Sequence, residues 1–335
     1  MAKGLISIFT LPHEIDNLQT TLYNLRRNYA VMSGHEFGFD ITLCLSDTLT
    51  DWEFSLPKSY FEDKFNQMTE KLCDWAIPQS IKIEYGDEIL GCVSQRRHSL
   101  KYLDKYDFTL WLDNDMFFND YLLSYIGIAA DTLYQSGVEY YVLTPQITRQ
   151  WDTSWDVIVN KHLLDRQLND NLTADVFDLG LTQFGDVGIR PINEFKAAGG
   201  WCTTISNDLL ELTGIPESLG HYGLEDTYVL VCAEMLRRMN RKEKPQQFVI
   251  DNLVVGENHR YQTSEYLKNQ IKSHDKKDEF RQIATAHFNE EVNKFIQRMH
   301  QCKSFIVFRN LLTQNTLRQE RGRLNCPTQP SGTAY

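Results

Sequence analysis

The sequence has no Cys-x-x-Cys pair, no long uncharged apolar run, no excess of positive charge and no internal repeat. Its seven cysteines, at positions 44, 73, 92, 202, 232, 302 and 326, are odd in number and scattered. They read as reduced thiols, mostly in the core of a cytoplasmic protein. No window of about 18 apolar residues exists, so no membrane-spanning helix is expected. A net charge of −11 speaks against nucleic acid as the main partner. The apolar start Leu5-Ile6-Ser7-Ile8-Phe9 is too short for a signal peptide and reads as a first buried strand. After it, Thr10-Leu11-Pro12-His13-Glu14 contains no glycine, so a glycine-rich phosphate-cradling loop is missing there.

What remains is a soluble chain of 335 residues, 42% hydrophobic and 24% charged, long enough for one large or two modest domains. Strands are expected at 5–10, 41–45, 81–85, 108–113 and 140–144. Helices are expected between them at 14–28, 60–75, 94–103 and 121–135. Ile15, Leu18, Leu22 and Leu25 repeat at helical spacing, as do Phe61, Phe65, Met68 and Leu72. Strands alternating with crossover helices predict a mostly parallel α/β sheet. Such sheets bind ligands at the carboxyl edge of their strands.

One stretch organises the rest. Phe108-Thr109-Leu110-Trp111-Leu112 is aromatic and aliphatic apart from Thr109, reads as a fully buried strand and runs into Asp113-Asn114-Asp115. A carboxylate is not buried ionised without a partner. This pair is therefore expected at the sheet edge, where oxygen ligands suit a hard cation such as Mn²⁺ or Mg²⁺. The plain alternative is a turn, which Asp and Asn also favour. A further ligand is sought in histidine: His259 follows a strand at 248–256, and His274 competes with it.

Downstream, residues 146–198 are rich in Trp, Asp and Asn and read either as a substrate-covering loop or as a polar insertion. Gly199-Gly200 leads into a strand, where small residues let backbone approach a ligand or simply form a turn. A short helix capped by Asn207 or Asp208 stops at Gly214. From Glu225 the pattern is helical again, with Glu225 and Asp226 in the first turn. Acidic residues are expected there on dipole grounds alone; a carboxylate so placed also suits a general base. Helices with basic faces are expected over 277–320. Within 294–323, Lys294, Arg298, Lys303, Arg309, Arg318, Arg321 and Arg323 outnumber the single acid Glu320. That segment reads as a peripheral contact to an anionic membrane surface or a partner, or as an ordinary packing helix with a solvated face. Residues 324–335 are expected to be disordered.

Together these stations resemble the glycosyltransferases of the GT-A fold, family-2-like in the first half with a galactosyltransferase-type carboxyl half. The resemblance spans roughly residues 4–260. It matches the Pro-containing loop after strand one (Thr10, Pro12) and an acidic residue after strand two. The latter is Asp47, in Ser46-Asp47-Thr48 where the family usually has Asp-Asp-Gly-Ser. It also matches an arginine sixteen residues before the first metal-motif aspartate (Arg97), the Asp113-Asn114-Asp115 motif itself, and Gly200 with Gly223-Leu224-Glu225-Asp226. The Trp-Gly that precedes Glu-Asp in galactosyltransferase-type members is absent, which leaves the acceptor type open.

The resemblance implies a GT-A (Rossmann-like) domain over 1–262, divided into a nucleotide-sugar half (1–118) and an acceptor half (119–262). A helical extension would follow at 263–323. It implies metal-dependent transfer of a sugar from a nucleotide sugar, by family frequency a UDP-sugar, to an acceptor hydroxyl, with inversion if Asp226 is the base and retention if Asp226 only binds the sugar. Thr10, Pro12, Asp47, Arg97, Asp113 and Gly200 would bind the donor; Asp113, Asp115 and His259 would hold the metal. Asp226 would be the base, and Glu225 would orient donor or acceptor. A sugar-1-phosphate nucleotidyltransferase and a non-catalytic sugar- or partner-binding protein are the alternatives. The missing glycine loop disfavours the former.

Overall fold

A computed structural model describes residues 1–46, 57–86, 92–114, 116–147, 184–195, 200–239, 244–257 and 271–301. Strand β1 (Lys3–Thr10) leads through a 3-10 turn (Pro12–Glu14) into helix α1 (Ile15–Val31). β2 (Glu36–Ser46), α2 (Lys58–Glu70), β3 (Ile77–Gly86), α3 (Cys92–Ser99) and β4 (Phe108–Leu112) complete the amino-terminal half. Then come β5 (Met116–Phe117), α4 (Leu122–Gln135), β6 (Tyr141–Ile147), β7 (Ile189–Ile192) and β8 (Cys202–Ser206). Helices α5 (Asn207–Thr213) and α6 (Glu225–Arg238), strand β9 (Gln246–Glu257) and the long helix α7 (Ile271–Gln301) follow.

The strands form one sheet in the order β3-β2-β1-β4-β8-β6-β9-β5, with β7 also paired to β9. β1, β2, β3 and β4 run parallel to one another. β8 enters antiparallel between β4 and β6, and β9 is again parallel to β6. β5 and β7 pair with β9 antiparallel. The sheet is thus mostly parallel in strand direction and flanked by helices, as the alternation of patterns predicts. The largely apolar run of β4 is explained by burial: all five of its residues are buried, and the one hydroxyl among them, Thr109 Oγ, donates to Asn207 Oδ1 at 2.8 Å.

Helix α1 buries Ile15, Leu18, Leu22 and Leu25, the face its spacing predicts. Those side chains meet Phe37, Phe39, Ile41, Leu43, Phe61 and Phe65 in the main core. The polar side chain of Asn28 is fully buried in the same helix because it is fully used. Its Nδ2 donates to the carbonyls of Asn24 (3.0 Å) and Asn119 (2.9 Å), and its Oδ1 accepts from Leu123 N–H at 3.0 Å. This fastens α1 to the segment that follows the aspartate motif.

Three features depart from the sequence expectation. β2 begins at Glu36 rather than 41, because Phe37 and Phe39 continue the buried alternation. β5 and β7 are too short for a periodic pattern to announce them. The helices expected over 277–320 are one continuous helix as far as Gln301; the remainder of that span lies outside the described residues. The chain divides into two compact units, Met1–Val292 and Asn293–Tyr335, and in the second the described residues 293–301 are the end of α7. Among the described residues, no helix is long and apolar enough to cross a membrane. The expected peripheral contact through 294–323 falls mostly outside the described residues.

Candidate functional site

β1 and β4 are parallel neighbours, so their carboxyl ends, Thr10 and Asp113, lie at the same sheet edge. β8 runs the other way, so it starts at that edge, and Asp113 N–H donates to Trp201 O at 2.8 Å. Asn114, between the two aspartates, faces inward and is buried. Its Nδ2 donates to Thr10 Oγ (3.3 Å) and to Glu14 O (3.4 Å), while its own carbonyl accepts from Thr21 Oγ at 2.7 Å. With Asn114 anchored, Asp113 stays at the rim with its side chain 30% exposed. Thr10 is fully buried and serves as Asn114's acceptor, and Pro12 opens the 3-10 turn beside it.

Across from Asp113 stands Arg96 of α3. Its Nη2 donates to Asp113 Oδ1 at 3.1 Å and to the carbonyl of Gly200 at 2.8 Å. Its Nη1 donates to Glu225 Oε1 in a fully buried ion pair. The guanidinium also lies over the Trp111 ring, 5.0 Å from its centroid. Burial alone would lower the Arg96 pKa; its neighbours Cys92, Asp113 and Asp226 outweigh that and raise it. Gly200 is required by close approach: a Cβ there would fall inside the Arg96 guanidinium.

Glu225 opens α6 and is 1% exposed. Its Oε1 also accepts from Cys92 Sγ at 3.4 Å, and its Oε2 has no hydrogen-bond partner among the described residues. Burial pushes the Cys92 thiol up to about 11, partly offset by Arg96. Asp226, one residue on, is only half-buried. Its Oδ1 accepts from Thr227 N–H (2.6 Å) and Thr227 Oγ (3.2 Å). The turn into this helix is left-handed, with Gly223 at φ +95° and Leu224 at φ +66°. A leucine in that region is sterically disfavoured and is held there by its surroundings.

Asp113, Gly200, Glu225 and Asp226 are therefore gathered about the sheet edge. Arg97 turns elsewhere: its Nη2 donates to the carbonyls of Pro216 (3.0 Å) and Gly220 (3.3 Å), and burial lowers its pKa. The residue facing the aspartate is Arg96, which the sequence reading passed over. The signal was present. Cys92 and Arg96 are one turn apart and are buried along with Val93, Gln95 and Ser99, whereas Arg97 is only partly buried. Asp47, Asp115 and His259 lie outside the described residues, and of His274 only the helical backbone is described. β5 pairs with the end of β9, Met116 opposite Glu257.

A half-exposed carboxylate at the carboxyl edge of a sheet suits a hard divalent ion, so Asp113 fits the expected metal. Among the described residues, no group of three or more His, Cys, Asp or Glu is assembled to hold one. The five described cysteines are free thiols, as expected, and all but Cys73 are buried.

No family model and no curated protein sequence matches this chain. Among solved structures, it is similar to S. aureus TarS 1–349, with 14% identity and a TM-score of 0.43, covering 86% of this chain and 72% of that one. GalNAc-T7 with UDP, GalNAc and Mn²⁺ shows 13% identity and a TM-score of 0.43, over 95% of this chain and 58% of the other. The inositol-1-phosphate CTP transferase from T. maritima gives 10% identity and a TM-score of 0.38, over 82% and 95%. These are distant likenesses, and the functional reading rests on the chain's own residues.

Proposed function

We propose that the protein is a GT-A-type glycosyltransferase that moves a sugar from a nucleotide sugar, a UDP-sugar by preference, to an acceptor hydroxyl. One observation carries the reading. Asp113, at the end of the central strand β4, and the first turn of α6, with Glu225 and Asp226, are joined through a single arginine at the carboxyl edge of the sheet. That edge is where an open α/β sheet takes its ligand.

The chemistry follows from what the leaving group needs. Departure of a nucleoside diphosphate builds negative charge on its oxygens. Mn²⁺ or Mg²⁺ held by Asp113, Asp115 and His259 would offset that charge. Thr10, buried beneath Asn114, and Pro12 would shape the loop on the nucleoside side, Asp47 would read the nucleoside, and Gly200 would serve the donor site by making room for Arg96. Asp226 takes the proton of the acceptor hydroxyl. Its Oδ1 is engaged by Thr227, which leaves Oδ2 for the proton, and attack from that side inverts the anomeric centre.

A thermal-shift screen of nucleotide sugars with and without Mn²⁺ tests the reading, because a ligand bound only by the native state raises the melting temperature. A rise with a UDP-sugar that requires Mn²⁺ is expected. A rise with nucleoside triphosphates and none with any nucleotide sugar would overturn it in favour of nucleotidyl transfer.

A further inference from the structure

Arg96 touches three parts of the site that come from distant parts of the sequence. It reaches the end of β4 through Asp113, the residues before β8 through the Gly200 carbonyl, and the start of α6 through Glu225. Its side chain is almost wholly buried, so these contacts and the Trp111 ring define its surroundings. Two features of the site make sense only around it. Position 200 has no room for a side chain beside the guanidinium. And a buried carboxylate such as Glu225 is tolerated because a buried cation faces it.

We propose that Arg96 is a positioning residue for sugar transfer, setting the donor-side carboxylate Asp113 and the base-bearing turn of α6 in one rigid frame. This deepens the transferase reading and rests on it. Arginine is suited to the task, because its planar fork presents donors in several fixed directions at once, whereas lysine offers a single point charge. Glu225 is then the partner through which Arg96 holds the helix start. The left-handed Leu224 immediately before it shows that this turn is held in a conformation it would not take alone. Asp226, next in the chain, inherits its position from that hold. A shift of about 1 Å in a reacting group costs about 100-fold in rate, so the frame governs turnover more than donor affinity.

The full chain carrying Arg96→Lys is compared with wild type by two measurements. The first is steady-state kinetics with a UDP-sugar and Mn²⁺. We expect kcat to fall about 100-fold while the donor KM changes less than about threefold, and guanidinium ion, but not urea, to restore part of the turnover of Arg96→Ala. The second is amide hydrogen exchange. We expect faster exchange in residues 200–203 and 222–228 together, with 36–46 unchanged. A kcat within about twofold of wild type in the correctly folded Lys variant overturns the proposal; so does unchanged exchange in both segments, or a uniform increase over the whole of residues 1–292, which would mark a merely structural role. If wild type itself turns over no nucleotide sugar, the transferase reading fails, and the exchange pattern alone then decides whether Arg96 links the two segments.

Discussion

Arg96 and Asp113 face each other across the end of β4, Nη2 to Oδ1 at 3.1 Å, while the neighbouring Arg97 donates to the Pro216 and Gly220 carbonyls. The carboxylate assigned to the donor thus already has an internal cation beside it. A divalent ion at the proposed site would share Asp113 with a guanidinium that cannot be deprotonated.

Gly200→Ala should be disproportionately damaging for a single methyl group. The new Cβ meets a guanidinium pinned at Asp113, Gly200 O and Glu225 rather than a free side-chain end. Overpacking of this kind costs about 1–3 kcal/mol, read as a lower urea midpoint, with loss of any transfer activity. A midpoint equal to wild type would show that Arg96 moves aside freely.

Asp226→Asn keeps the size of the side chain and its place after Glu225 but removes the proton acceptor. Transfer should drop by at least about 100-fold, while the Mn²⁺-dependent thermal shift with UDP-sugar stays. Full transfer in this variant would take the base role away from Asp226.

Acid stability should depend on Glu234. Hydrogen bonds from Arg237, opposed by burial and reinforced by Arg238 and the Phe195 N–H, hold its carboxyl down to about 2 against an ordinary 4.5. The folded pKa lies below the unfolded one, so the stabilisation is complete above about 4.5 and fades as pH falls through about 2. Because the arginine partners are substantially exposed, its size is on the order of 2 kcal/mol. Urea midpoints measured from pH 7 down to pH 2 should fall more for wild type than for Glu234→Gln; parallel curves would refute the assignment.

Thiol alkylation of the native protein, mapped by peptide mass, should label Cys73 quickly and Cys92 only after unfolding. Cys73 is exposed, whereas Cys92 is buried with its thiol pushed up to about 11. Rapid native labelling of Cys92 would mean that the Glu225–Arg96 neighbourhood opens readily.

Much of the fold was legible because burial writes periodicity into sequence. The 3.6 spacing of Ile15, Leu18, Leu22 and Leu25 and the largely apolar run of β4 are direct records of what they pack against. β5 and β7 were not legible, since two to four residues hold no period and their pairing with β9 is set by tertiary context. The antiparallel sense of β8 was hidden for the same reason. Among the candidate residues, Asp113, Glu225 and Asp226 were singled out by motif. Arg96 was missed because a motif counts positions along the chain, and the choice between adjacent arginines is made by which helical face is buried.

The most direct test of the central claim is to incubate the protein with Mn²⁺ and a set of UDP-hexoses and measure free UDP. The account predicts UDP release that requires Mn²⁺ and disappears in Asp113→Ala with the fold retained. Release that is unchanged in Asp113→Ala, or pyrophosphate formed from a nucleoside triphosphate and a sugar 1-phosphate in place of UDP release, would contradict it.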